Sequence, residues 1–276
     1  MKLLKHDNIT AMLKKILRTV IPSGIWEYSK RFKRILINPD KYHILSKADL
    51  TYSTDQLYTH NNCDFRKDPR FAESYALARK VDEGQLLSKN DIPWRMHVLF
   101  WAGTVAKTKP GDFVDCGVNT GFCARALMNY IGFEKLNKKY FLFDTFAGLD
   151  PKYSSPDELR INVNLGYDRQ KNNFEKVKKT FAGFNVEIIK GTVPDSLSRA
   201  KINSVCFLHL DMNTAKPEVM ALDYFWGKIS SGGVVLFDDY GFRGHEAQKN
   251  SHDQWAKAHG VEILTLPTGQ GLLIKP

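Results

Sequence analysis

Residues Gly111–Met128, GDFVDCGVNTGFCARALM, decide how the chain is read. Phe113 and Val114 read as the end of a buried strand, Asp115 to Gly121 as a tight turn, and Phe122 onward as a helix. Glycine at 117 and 121 lets the backbone turn sharply and lets a ligand approach the main chain. The first N–H groups of the new helix have no intrahelical partner and face whatever binds there. Strand, glycine turn and helix in this order open a nucleotide-type α/β domain, with the crevice at the carboxyl end of the strand.

Downstream the pattern alternates strand and helix. Strands are expected at Phe113–Cys116, Tyr140–Asp144, Val186–Lys190, Val205–Leu210 and Gly233–Phe237, and helices at Asn173–Phe181, Pro217–Lys228 and Glu246–His259. Val261–Leu266 and Gly271–Lys275 read as a closing pair joined by Pro267-Thr268-Gly269-Gln270. The expected fold class is α/β: a doubly wound, mostly parallel, seven-stranded Rossmann-like sheet.

Upstream, Asp68 is an N-cap and Pro69 a first helical residue, with Phe71, Tyr75 and Ala78 on the apolar face of a helix ending near Lys80. A second helix starts at Asp91-Ile92-Pro93-Trp94, and Trp94, Val98, Trp101, Ala102 and Val105 are its expected buried stripe. Asn38–Cys63 is turn-rich and reads as connection and lid, with further lid material at 150–172. Met1 to about Pro39 looks helical and basic, broken at Pro22-Ser23-Gly24. The expected division is a basic helical N-terminal extension and lid over 1–65 and a catalytic domain over 66–276.

The formal net charge is +10. Residues 1–47 hold 11 Lys/Arg and 3 Asp/Glu, so +8 lies there, and the other 229 residues, with 29 and 27, carry only +2. A nearly neutral globular part with an acidic cleft argues against binding a phosphate backbone, so no nucleic-acid partner is expected. The basic amphipathic N-terminus suits weak peripheral contact with an anionic membrane, or docking on its own domain or in a homo-oligomer. No apolar run is long enough to span a bilayer, and Lys14, Lys15 and Arg18 interrupt the apolar stretch that a secretion signal needs. Cys63, Cys116, Cys123 and Cys206 show no C-x-x-C spacing. Reduced thiols in a cytoplasmic protein are the economical expectation.

The glycine turn is D-x-G-x-x-x-G rather than G-x-G-x-x-G, which disfavours a nicotinamide cofactor. It suits S-adenosylmethionine (SAM), whose amino-acid end is zwitterionic and whose sulfonium is positive. Asp144 closes the second strand, where an acid accepts hydrogen bonds from ribose hydroxyls. The expected donor site comprises Asp115, Gly117, Asn119, Thr120 and Gly121 of the turn, then Asp144, Thr145 and Phe146. Gly191 and Thr192 join it where an adenine would lie, and Asp211 closes it. Asp211, Asp238 and Asp239 end adjacent strands, and three carboxylates on one rim repel unless protonated or neutralised by a cation. A hard divalent ion with oxygen ligands, Mg²⁺ first, resolves this.

GDFVDCGVNTG (111–121), FDTFAGLD (143–150), LHLDMN (208–213) and SGGVVLFDDYG (231–241) together resemble the macrocin-type (TylF-like) SAM-dependent O-methyltransferases, which act on sugars and other hydroxylated natural products. The resemblance spans roughly residues 70–276 and implies the class I methyltransferase fold. It also implies SAM contacts at Gly117 and Asp144 and a metal at Asp211, Asp238 and Asp239. It departs at Asn213, where the family commonly carries the aspartate expected to deprotonate the acceptor hydroxyl. An amide takes up no proton at neutral pH. Either the metal alone acidifies the hydroxyl, or a histidine substitutes, or catalysis is lost. His245, just past DDYG, is the expected substitute, whereas His209 lies inside a strand and reads as core. The expected reaction is methyl transfer to a hydroxyl of a sugar or nucleotide-sugar. The competing expectation is a catalytically degenerate scaffold.

Overall fold

The computed structural model describes residues 50–83, 91–166 and 173–276. The helices expected before Pro39, and with them the surface proposed for membrane contact, lie outside the described residues. Thr51–Pro276 form a compact unit.

A short hairpin, β1 (Tyr52–Thr54) and β2 (Leu57–Thr59), comes first. Helices α1 (Pro69–Val81) and α2 (Pro93–Ala106) follow. The sheet then builds through β3 (Asp112–Cys116), α3 (Phe122–Ile131), β4 (Tyr140–Asp144), α4 (Pro156–Leu165), α5 (Asn173–Thr180) and β5 (Val186–Lys190). It closes with β6 (Val205–Leu210), α6 (Ala215–Trp226), β7 (Ile229–Phe237), α7 (Glu246–Ala258), β8 (Leu264–Thr265) and β9 (Gly271–Ile274). The strand order is β5-β4-β3-β6-β7-β9-β8, parallel except for β9 and β8. The order reverses between β3 and β6, which opens the crevice beyond their carboxyl ends.

Both faces of the sheet are covered, so its strands read as apolar runs rather than alternations. All six residues of β6 are buried. Side chains on successive residues still point to opposite faces. Phe113, Leu142, Phe207 and Leu236 pack with α1, α2 and α3. Val114, Phe143, Leu208 and Phe237 pack with α6 and α7. Asp115 and His209 are register partners on the first face, and each is 1% exposed. His209 Nδ1 lies 3.1 Å from Asp115 Oδ1, a buried polar pair, while His209 Nε2 lies 3.9 Å from Asp238 Oδ1.

The stripe expected on α2 is only partly its core face: Ala102 is buried and Val98 and Val105 pack against the core, but Trp101 is 47% exposed, while Met96, Leu99, Phe100 and Ala106, outside the stripe, are buried. Almost every side of PWRMHVLFWAGTVA is apolar, so spacing alone selects no face. The stretch expected as connection over 38–63 contains the β1–β2 hairpin. Its turn, Asp55-Gln56, has φ of 50° and 61° without a glycine, so the usual Asn-Gly signal is missing. The lid expected over 150–172 contains helix α4, opened by a capping box of Ser155 and Glu158.

Candidate active site

One cavity occupies the crevice at the carboxyl ends of β3, β4, β6 and β7. Hairpin β1–β2 is fastened beside it: Thr54 Oγ1 donates to the Asp91 carbonyl at 2.6 Å, and Tyr52 packs edge-on against Trp94. The opposite wall is α4. Glu158 Oε1 accepts the Ala215 N–H at 2.7 Å, tying α4 to the start of α6.

The turn after β3 is held from two sides. Gly117 has φ of 101°, and a Cβ there would lie 1.9 Å from the Asp211 carbonyl oxygen. The glycine is therefore required by the neighbouring backbone, which ties the turn to the loop after β6. On the other side Asp144 Oδ2 accepts the N–H groups of Val118 at 2.7 Å and Asn119 at 2.8 Å, and Oδ1 accepts that of Phe146. A carboxylate offers about four lone-pair positions, so these bonds leave about one for a ribose hydroxyl. Asn119 Oδ1 in turn accepts from Asn173 Nδ2 at 2.9 Å.

Gly117, Asn119, Asp144, Thr145, Phe146, Gly191, Thr192 and Asp211 all line the cavity, as do Asn213, Asp238, Asp239 and His245. Asp115, Thr120 and Gly121 do not. Asp115 is engaged with His209, and Thr120 Oγ1 donates to Asp82 Oδ1 at 2.7 Å. Gly121 faces the Phe181 ring, 2.7 Å from where its Cβ would stand. Reading the glycine turn as a unit could not separate residues that face the ligand from those that anchor the turn.

Asp211, Asp238 and Asp239 converge, with one ligand atom from each lying within 4.8 Å of the others. A cation supplied by the chain is already among them. Arg95, 8% exposed on α2, donates through Nη2 to Asp239 Oδ1 at 2.8 Å and to the Asp238 carboxylate. Gln270 Nε2 donates to Asp238 Oδ1 at 2.9 Å. The Asp211 carboxylate receives no hydrogen bond from any described residue. Three carboxylates and one guanidinium leave a formal charge of −2, which a divalent cation balances. This donor set fits Mg²⁺.

The electrostatics follow from burial and this crowding. Burial, reinforced by Asp238 and Asp239, pushes the Asp211 carboxyl well up. Burial acts on Asp238 in the same direction, but Arg95 and His209 outweigh it and hold that carboxyl low. Asp55, at the hairpin tip, also lines the cavity. Burial raises it to about 6, with Arg95 opposing and Asp238 and Asp239 adding to the rise.

Sequence reasoning missed Asp55, Arg95, Gln270 and the buried pair Glu218 and Gln248. Arg95 had a signal, a lone charge inside the apolar run PWRMHVLFW. Ser155-Pro156-Asp157-Glu158 signalled α4. The others had none, because their importance comes from elements distant in sequence meeting at one rim.

The profile of the family described as Macrocin-O-methyltransferase (TylF) matches residues 98–264. Among solved structures, the chain is similar to the O-methyltransferase NovP at 18% identity, covering 66% of this chain and 79% of that one, with a TM-score of 0.57. It is also similar to the calicheamicin methyltransferase CalS11 at 15% identity, covering 78% of this chain and 98% of that one, with a TM-score of 0.48. At such identities the likeness to NovP is one of fold. No curated protein sequence matches.

Proposed function

The chain belongs to the macrocin-O-methyltransferase (TylF) family of SAM-dependent O-methyltransferases, and on that premise we propose that it methylates a hydroxyl of a sugar or related hydroxylated metabolite with the help of Mg²⁺. The observation that carries this reading is the convergence of Asp211, Asp238 and Asp239 on the rim that Asp144 and the glycine turn share. SAM supplies an activated methyl group on a positive sulfonium, and Mg²⁺ supplies Lewis acidity that lowers the pKa of a hydroxyl.

The protein's own part is placement. Asp144 and the backbone of Gly117–Asn119 hold the donor, and Phe146 and Thr192 line the cavity beside them. Asp211, Asp238 and Asp239 hold the cation. Six aspartates and a single arginine are the charged lining residues, a balance that favours cations and disfavours phosphates. A neutral glycoside therefore suits the acceptor side better than a sugar whose phosphates lie deep in the cavity. The polar groups of Asp55, Asn162, Asn213, His245 and Gln270 there match a polyol. Walls from the hairpin, α4 and the loop before α7, with Phe242 and His245, exclude water and align the reacting oxygen. Asn213 takes no proton, so His245 is the base. Its ring lies beside the acid cluster, with Nδ1 4.0 Å from Asp239 Oδ2.

The test is incubation of the full chain with labelled SAM and a panel of glycosides and nucleotide-sugars, with Mg²⁺ or with EDTA. A methyl ether formed only with the metal is expected. Undiminished turnover in EDTA removes Mg²⁺ from the reading, and transfer to none of the hydroxylated acceptors overturns the acceptor class.

A further inference from the structure

A buried hydrogen-bond chain runs from His245 to the loop that carries Asp211 and Asn213. His245 Nδ1 lies 2.6 Å from Gln248 Oε1. Gln248, on the first turn of α7, is 3% exposed, and Glu218, on α6, is 1% exposed. Gln248 Nε2 donates to Glu218 Oε1 at 2.9 Å. The same oxygen accepts the Met212 N–H at 2.9 Å. His252 Nε2 lies 3.1 Å from the other oxygen, Oε2.

Donor and acceptor roles along this chain are forced. Glu218 Oε1 accepts a backbone N–H, so it acts as an acceptor toward Gln248 as well. The amide nitrogen of Gln248 must therefore face Glu218, and its oxygen must face His245. An amide oxygen only accepts, so the hydrogen lies on His245 Nδ1. In the neutral ring Nε2 is then bare, and it makes no hydrogen bond with any described residue.

We propose that Glu218 and Gln248 are positioning residues that fix His245 in its Nδ1–H tautomer, so that a bare Nε2 is offered to the acceptor hydroxyl. The proposal rests on the reading of this cavity as the acceptor site of the O-methyltransferase. It gives the Asn213 departure a structural counterpart. The loop that lacks the acid is bonded, through Met212 N–H and Glu218, to the residue that sets the histidine's tautomer. Asp239 also faces His245, with Oδ2 4.0 Å from Nδ1, and it too favours a hydrogen on Nδ1.

The test is ¹⁵N NMR of the full chain labelled at histidine, with His245→Gln identifying the resonances. The pH is raised until the ring shifts stop changing, which marks the neutral ring. The expected pattern is a protonated Nδ1 and a bare Nε2. A protonated Nε2, or an even mixture, overturns the proposal. Gln248→Met keeps the side-chain length and removes both hydrogen-bonding ends, and is expected to give a mixture of tautomers. An unchanged Nδ1–H ring in Gln248→Met overturns the relay. Should that variant fail to fold, Glu218→Met removes the acceptor that orients the Gln248 amide and is expected to give the same mixture. SAM binding, measured by calorimetry on the same samples, keeps the two readings apart. A wrong tautomer with SAM bound sinks only the relay, whereas failure to bind SAM sinks the site reading and leaves the tautomer result standing.

Discussion

Arg95 Nη2 lies 2.8 Å from Asp239 Oδ1, and the same nitrogen also bonds the carboxylate of Asp238. The chain itself thus supplies part of the positive charge that three clustered rim acids need. Removing one partner of a buried pair leaves a charge uncompensated and costs about 3–5 kcal/mol. Arg95→Met is therefore expected to lose about that much in urea unfolding. With the formal charge of the cluster at −3, Mg²⁺ should raise the melting temperature of this variant more than that of the parent. Equal insensitivity of both proteins to the metal would count against a cation at these residues.

Asp211 stands differently from its neighbours, since no described residue bonds its carboxylate and burial with two like charges disfavours its ionised form. A residue so placed costs stability and is kept for what it binds. Asp211→Asn removes the charge and keeps the shape, so the metal-free protein is expected to melt a few degrees higher, roughly 2–4 °C per kcal/mol. Turnover is expected to fall by about 100-fold or more, with Mg²⁺ no longer raising the melting temperature. A variant as active as the parent in Mg²⁺ would remove Asp211 from the site.

The sheet was legible because its signals are local. Apolar runs such as VCFLHL, glycines after strands and the order of elements fix the topology without any long-range information. The acid rim was legible too, because parallel neighbours bring their carboxyl ends together whatever their side chains. What escaped were the answers of distant elements to that rim. Arg95 comes from a helix that precedes the sheet, Asp55 from a turn lacking glycine, and Gln270 from the final hairpin. Nothing in DCGVNTG distinguishes Asn119, which lines the cavity, from Thr120, one residue on, which anchors on Asp82.

Asp55 offers a pH test. Its folded value of about 6 lies above that of an unfolded aspartate, about 3.9. Between these values the folded chain binds more protons than the unfolded one, so stability falls as pH rises through this window. Asp55→Asn never ionises. It is expected to melt higher than the parent at pH 8 and equally at pH 4. Because solvent screens this half-buried side chain, a gain of only about 2–4 °C is expected, the shift that about 1 kcal/mol gives. A difference that stays constant across the range would show that Asp55 does not titrate against the rim.

Gly117 couples the two halves of the site. Its N–H donates to the Phe143 carbonyl at 2.9 Å, and Asp211 N–H donates to the Cys116 carbonyl at 2.9 Å. A methyl group at 117 would meet the Asp211 carbonyl at 1.9 Å, and that atom is backbone with little room to move. The residue that must shift belongs to the proposed cation site, and the turn that must shift presents Val118 and Asn119 to Asp144. Gly117→Ala is therefore expected to weaken SAM binding and to lower turnover together, beyond the roughly 1–2 kcal/mol of a left-handed alanine. Gly132 supplies the control. It also has positive φ, 67°, but nothing lies within 4 Å of its missing Cβ. Gly132→Ala should lose about 1 kcal/mol of stability and keep full activity. Equal losses of activity in the two variants would mean that backbone strain alone, and not the contact between the donor turn and Asp211, accounts for the effect at 117.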